Sequence, residues 1–380
     1  MSSPSLTLRV VAAATVSLGL LAPVASLPAS AATTVGGPLL ATHGVAVQAS
    51  KATRPLPRLS AASFVLADAT TGEVLAARNP HGRLRPASTL KTLTAVTLLP
   101  LLDPSTEYTA TWDDANVEGS KVGVVPKGTY TVRNLFEGMF LISGNDAANA
   151  LANAAGGVPR TVELMNAKAK ELGALDTHVV NPSGLDADGQ YTSAYDLALF
   201  AREGLARDDF RTYAGTVHST FPGKPVPPGH RRPTFQIWTQ NKLLMNYHGA
   251  IGTKTGWTTL ARGTFSGAAT RNGRTLIATV MHTGPRAWKE SAALLDWGFA
   301  NAATVTPVGT LEQPKVVAQA APAAHRPPLA ATPRQAGHAA GVPLWAWPLL
   351  AAVGALAAMR TRVLVLRRVR PRQRYSLPPL

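Results

Sequence analysis

The sequence predicts an α+β fold, one antiparallel sheet covered by helices with an all-helical subregion. Three observations predict it. Stretches 62–67 and 73–77 read as strands around Asp68-Ala69-Thr70-Thr71-Gly72, a turn sequence. Stretches 262–270 and 274–282 alternate polar and apolar residues around Asn272-Gly273, which suits the positive φ angles of a hairpin turn. Helical runs lie between the two hairpins, and a last helix is expected at 286–299.

The elements between follow in order. The run 87–99 has no internal Pro or Gly, starts after Pro86 and ends before Pro100, so a helix is expected there. Ser88 and Lys91 then share a face, with Cβ atoms about 5–6 Å apart. Short strands are expected at 108–112 and 129–132, and a helix at 132–139 leading into Leu141-Ile142-Ser143-Gly144-Asn145. The Ala-rich run 146–155 is helical and stops at Gly156-Gly157. Helices at 160–172, ended by Gly173, and at 193–206 complete the middle of the body.

The ends of the chain set its expected compartment. In 1–31, Arg9, an apolar core and Ala29-Ser30-Ala31 have the form of a secretory signal peptide. Residues 32–58, small and polar with Pro55 and Pro57, read as a linker to a catalytic-sized body at 59–308. An Ala/Pro-rich spacer is expected at 309–341. Residues 342–359 carry no charge, near the ~17–25 apolar residues that a membrane span needs, and Trp345 and Trp347 lie at its outer end. The tail 360–380 holds seven arginines and no acid, a cytoplasmic signature. The body is therefore expected outside the membrane, held by a C-terminal helix.

Taking those seven arginines and Arg9 from the formal net charge of +16 leaves +8 for the exported part. A nucleic-acid partner is not expected, because the densest basic run has a topological explanation. With no cysteine, a disulfide framework, a Cys nucleophile and a Cys zinc site are excluded. None of the nine His falls in an H-E-x-x-H spacing, so no metal is expected. The stretch 249–255 has the outline of a phosphate loop, but Thr253 stands where that loop needs Gly before Lys.

Three short pieces carry candidate chemistry. They are Ser88-x-x-Lys91, Ser143-Gly144-Asn145 and Lys254-Thr255-Gly256. Each alone has a plain structural reading: a helix start with a solvated Lys, a helix cap at Asn145, and a turn. Together, in this order and in these contexts, they match the set found in penicillin-binding proteins and class A β-lactamases, with Gly144 in place of an Asp.

The sequence resembles the serine D-alanyl-D-alanine carboxypeptidases of the low-molecular-mass penicillin-binding class. The resemblance extends over Asn145-Asp146-Ala147-Ala148, Met165-Asn166, Leu172-Gly173, Asn181-Pro182-Ser183-Gly184-Leu185, Asn241-Lys242-Leu243-Leu244, Gly252 to Thr258 and Leu295-Asp296-Trp297-Gly298-Phe299. It implies a β-lactamase/transpeptidase-like fold, no cofactor, a peptidoglycan pentapeptide stem as substrate and β-lactam antibiotics as acylating inhibitors. Beside it, the residues give roles. Ser88 needs a base within reach, and Lys91 can serve only as a neutral amine, which burial and a nearby Lys254 both favour. Ser143 can relay a proton to the leaving amine, and Asn145 can bond both Lys91 and substrate backbone. Lys254 and Thr255 can hold a terminal carboxylate, and Gly256 lets a substrate strand approach the sheet edge. The resemblance implies an oxyanion hole from the N–H groups of Ser88 and Trp257, with substrate added along Lys254–Thr258.

Two departures stand out. Arg262 interrupts the small-residue pattern after Thr258, and only the Ala/Pro spacer follows the body where many relatives carry a β-rich domain. A β-lactamase would need a deacylating Glu on a loop, and Glu163 falls inside an expected helix. Endopeptidase action on cross-links uses the same residues, and a non-catalytic wall-binding module is the reading from another class.

Overall fold

The structure, a computed structural model, describes residues 34–311. The expected signal peptide, the transmembrane run and the arginine tail lie outside these residues, as does the spacer beyond Leu311. Five long strands form most of a seven-stranded sheet: β1 (Ser63–Asp68), β2 (Glu73–Arg78), β3 (Ala250–Thr258), β4 (Arg262–Arg271) and β5 (Arg274–Thr283). Their order is β2-β1-β5-β4-β3, antiparallel throughout, with β3 at an edge. Between β2 and β3 run α1 (Lys91–Leu98), α2 (Val132–Leu141), α3 (Asn145–Ala154), α4 (Val158–Glu171), α5 (Ala194–Leu205) and α6 (Asp208–Gly215); α7 (Ala287–Asn301) follows β5. No helix among the described residues is long and apolar enough to cross a membrane.

Local chemistry explains the boundaries. Asn272 and Gly273 have φ of 49° and 76°, both positive as a type I′ turn requires. Before β2, the Asp68 carboxylate accepts the N–H groups of Thr70 and Thr71 at 2.9 and 3.1 Å, and Gly72 turns at φ 80°. Ser193 caps α5 by accepting the Asp196 N–H at 3.1 Å. Gly173, at φ 75°, ends α4.

Alternation on the strands builds two cores. Phe64 and Leu66 of β1 pack with Leu276 and Val280 of β5 beneath Leu294 and Leu295 of α7. Val65 and Ala67, with Ile277 and Met281, face the helical side and join α1, α3 and α5. The sheet is thus covered on both faces, which is why β1 is buried along its whole length.

The structure departs from expectation in four places. The first turn of the 87–99 run is a 3₁₀ turn, Ala87–Leu90, before α1 begins. The strand expected at 108–112 covers only Glu107–Thr109, because Thr111 and Asp114 form a capping box that starts a short helix at Trp112–Ala115. A hairpin, His218–Pro222 with Thr234–Trp238, had no clear sequence signal. The stretch expected as a linker is joined to the body: Val45–Ala46 pairs with β2, and the Arg54 N–H donates to Asn301 Oδ1 at 2.7 Å.

The loop 181–185 locks onto the turn ahead of α1. Gly184 has φ 79°, and a Cβ there would lie 1.9 Å from the Ala87 carbonyl oxygen. Replacing Gly184 with Ala should therefore destabilise the fold by more than ~1 kcal/mol. A lower urea midpoint at unchanged m-value is expected, and a wild-type midpoint would show that the close approach is not required.

Candidate active site

Ser88 lies in the 3₁₀ turn, where residues three apart eclipse one another, and this lines it up with Lys91. Thr89 and Thr264 both donate their hydroxyls to the Pro86 carbonyl, at 2.5 and 2.9 Å, fixing the turn against β4. The result is 2.8 Å between Ser88 Oγ and Lys91 Nζ.

Lys91 is fully buried. Besides Ser88, its Nζ meets Asn145 Oδ1 at 2.6 Å and the Ser183 carbonyl at 2.8 Å. Those two oxygens are acceptors and take two N–H groups. A neutral amine has two such groups and one lone pair, and in that form the lone pair would face the Ser88 hydroxyl. Electrostatics agrees: burial holds the Lys91 amine well below the usual lysine range, Lys254 lowers it further, and Asp146 opposes them. Lys254 is also buried, and burial brings it down to about 7. Its Nζ reaches Ser143 Oγ and the Thr255 carbonyl, each at 2.9 Å.

The second piece sits at the entry to α3. Ser143 is buried with φ 61°, and Gly144 is the N-cap without a side-chain bond. Asn145 therefore does not cap the helix. Its Oδ1 is committed to Lys91 and its Nδ2 donates to the Glu118 carbonyl at 2.6 Å.

The third piece is on β3. Gly256 is needed for close approach: a Cβ there would lie 3.0 Å from Ser88 N and 2.9 Å from Thr89 N. Ser88 and the Gly256–Trp257 backbone are thus held against each other. Trp257 is exposed, and Thr255 and Thr258 are half-buried along the free edge. Thr255, Gly256 and Trp257 line a cleft of about 290 Å³ with Pro285 and Trp288. A larger cavity, about 570 Å³ between Leu199, Arg202 and Ile251, contains none of these side chains. Arg262 is exposed at φ 58° on the β3–β4 turn, opposite Thr258. Glu163 lies on α4, exposed and paired with Arg160 at 3.2 Å. Among the described residues, no group of His, Asp or Glu is placed to hold a metal.

The structure brings all three pieces together. Sequence reasoning missed the acceptors that are backbone atoms, above all the Ser183 carbonyl. Its one signal was Asn181-Pro182-Ser183-Gly184-Leu185, where Asn181 Oδ1 collects the N–H groups of Ser183, Gly184 and Leu185 at 3.2, 2.9 and 3.1 Å.

The model of the D-alanyl-D-alanine carboxypeptidase family matches residues 48–284. The chain is 42% identical over 253 residues to the D-alanyl-D-alanine carboxypeptidase DacB2 of Mycobacterium tuberculosis, covering 65% of this chain and 84% of that protein. It is 33% identical over 252 residues to DacF of Bacillus subtilis, covering 63% of this chain and 62% of that longer protein. A crystal structure of D-alanyl-D-alanine carboxypeptidase from M. tuberculosis superposes with a TM-score of 0.65 at 40% identity, over 70% of this chain and all (100%) of that one. A Streptomyces DD-transpeptidase superposes with a TM-score of 0.62 at 28% identity, over 65% and 100%.

The two amines are electrostatically coupled. Changing Lys254 to Met removes the nearby cation and should move the Lys91 titration to higher pH. NMR of the lysine Nζ or Cε signals reads this directly, and an unmoved Lys91 signal would remove the coupling.

Proposed function

The chain belongs to the D-alanyl-D-alanine carboxypeptidase family, and we propose that it removes the terminal D-Ala from peptidoglycan pentapeptide stems through an acyl-enzyme on Ser88. The observation that carries this reading is the 2.8 Å between Ser88 Oγ and Lys91 Nζ, an amine that burial and Lys254 hold well below the usual lysine range.

The substrate adds as a strand to the free edge of β3, its terminal carboxylate at Lys254 and Thr255. Ser88 Oγ attacks the carbonyl carbon of the D-Ala-D-Ala bond while its proton passes to Lys91 Nζ. The carbonyl oxygen becomes an oxyanion between the Ser88 and Trp257 N–H groups, a pairing that the Gly256 contact supports. Collapse breaks the C–N bond. The leaving nitrogen takes the proton that Lys91 received, relayed through Ser143, whose oxygen already accepts from Lys254 and whose O–H is free to donate, and Lys91 is neutral again. Water then attacks the ester, Lys91 again serving as base, and Ser88 is restored.

β-Lactams present the same carbonyl and carboxylate and acylate Ser88. Turnover of that adduct by a Glu is not supported at Glu163, which faces solvent. Residues 342–359 tether the enzyme to the membrane, with the catalytic body on the outer side.

Two outcomes are expected. Ser88→Ala takes up no penicillin and releases no D-Ala, as read by intact mass and product assay; an adduct on that variant would refute Ser88 as nucleophile. The second concerns Lys254. A bound carboxylate favours its charged form and raises it from about 7. Above that pH, peptide binding to Ser88→Ala should take up a proton, seen by calorimetry in buffers of different ionisation enthalpy. Equal heats in all buffers would argue against a carboxylate on Lys254.

A further inference from the structure

Asp146 is completely buried, one residue beyond Asn145, and the reaction above gives it no role. Its two oxygens accept four backbone N–H bonds. Oδ1 takes those of Val122 and Ala147 at 2.9 Å, and Oδ2 takes Gly123 at 2.8 Å and Val124 at 2.9 Å. An ionised carboxylate, acceptor only, satisfies all four, whereas a protonated one would set an O–H against an N–H. Residues 118–124 are thereby strapped over the start of α3. The strap in turn holds Asn145: the Glu118 carbonyl accepts its Nδ2 at 2.6 Å, and the Ser120 carbonyl accepts its backbone N–H at 2.7 Å. Gly119, at φ 83°, permits this approach, since a Cβ there would lie 2.6 Å from Asn145 Nδ2. With Nδ2 committed to the strap, Oδ1 is the atom turned toward Lys91.

We propose that Asp146 is the positioning residue of this site: through the strap it fixes the face that Asn145 shows to Lys91. Among the described residues, the charged groups that bear on Lys91 are Lys254 from β3 and Asp146 from α3. The cation lowers the proton affinity of the amine and the anion raises it. Lys91 therefore titrates at a point set first by burial and then by these two opposing neighbours, and removing one should move it the opposite way from removing the other.

The inference rests on Ser88 being the acylated residue. The test is the pH dependence of penicillin acylation on the full chain, with folding checked by circular dichroism. Asp146→Asn keeps the shape, removes the charge and sets an amide NH₂ against two N–H groups. Its acid limb should move to lower pH, because the anion that favours protonated Lys91 is gone. Its plateau should fall by up to ~10²-fold, the effect of a misplacement of about 1 Å. Gly119→Ala leaves Asp146 in place but disturbs the strap at Asn145, so its plateau should fall with the limb unmoved. A limb at the wild-type pH in Asp146→Asn, or a wild-type rate in Gly119→Ala, overturns the proposal. If Asp146→Asn does not fold, the rate of Gly119→Ala decides between the two outcomes. A penicillin adduct on Ser88→Ala would instead overturn the nucleophile, a separate signature from either of these.

Discussion

Two lysine amines, Lys91 and Lys254, are buried in one site, and neither forms an ion pair among the described residues. Taking a charged amine out of water without a partner costs several kcal/mol. The fold avoids much of that cost by favouring the neutral form and surrounding it with acceptors. For Lys91 these are Asn145 Oδ1 of α3 and the Ser183 carbonyl; for Lys254 they are Ser143 and its neighbour Thr255. Meeting the needs of two amines forces segments 92 residues apart in sequence to converge, because Lys91 itself must reach Ser183. The helical subregion and the edge strand are positioned by this requirement as much as by their cores.

The same demand is visible in the backbone. Ala87, Ser143 and Thr253 have φ of 47°, 61° and 100°, and each stands at or just before one of the three pieces of the candidate site. A non-glycine residue in such a conformation costs roughly 1–3 kcal/mol. Between Ala250 and Gly252 the β3–β4 register shifts opposite Ala268/Ala269, an irregularity that bends the strand ahead of Lys254. The site is assembled before substrate arrives, and the cores on either side of the sheet sustain the local conformations.

What could be read in advance was local. Asn272-Gly273 announces its hairpin because both residues tolerate positive φ, and the Ser88/Lys91 spacing shows on any helical turn. The elements that escaped notice depend on distant partners. Val45–Ala46 has only two residues and no alternation to detect; it exists because β2 offers it an edge. The strands around the 223–233 loop are separated by a Pro- and Gly-rich segment that hides their pairing. In the site, side chains were legible and carbonyls were not. Nothing in the identity of Ser183 or Glu118 reveals that its main-chain oxygen is the group in use. Asn145 was legible as a candidate, but its freedom from capping follows from Gly144 taking the N-cap position and from the Lys91 and Glu118 contacts.

The order of the strands also fixes which side of the body is left open. Gly309–Thr310 pairs with β2, and Arg202 donates to the Leu311 carbonyl at 3.3 Å, so the described chain departs beside β2. The edge of β3 is four strand spacings away, roughly 19 Å at ~4.8 Å each. Anything that holds the chain beyond Leu311 pulls on one margin of the sheet while the proposed site lies at the opposite margin. A load on the chain there is met first by β2 and its neighbours, and the Lys254–Thr258 edge stays available to an incoming strand.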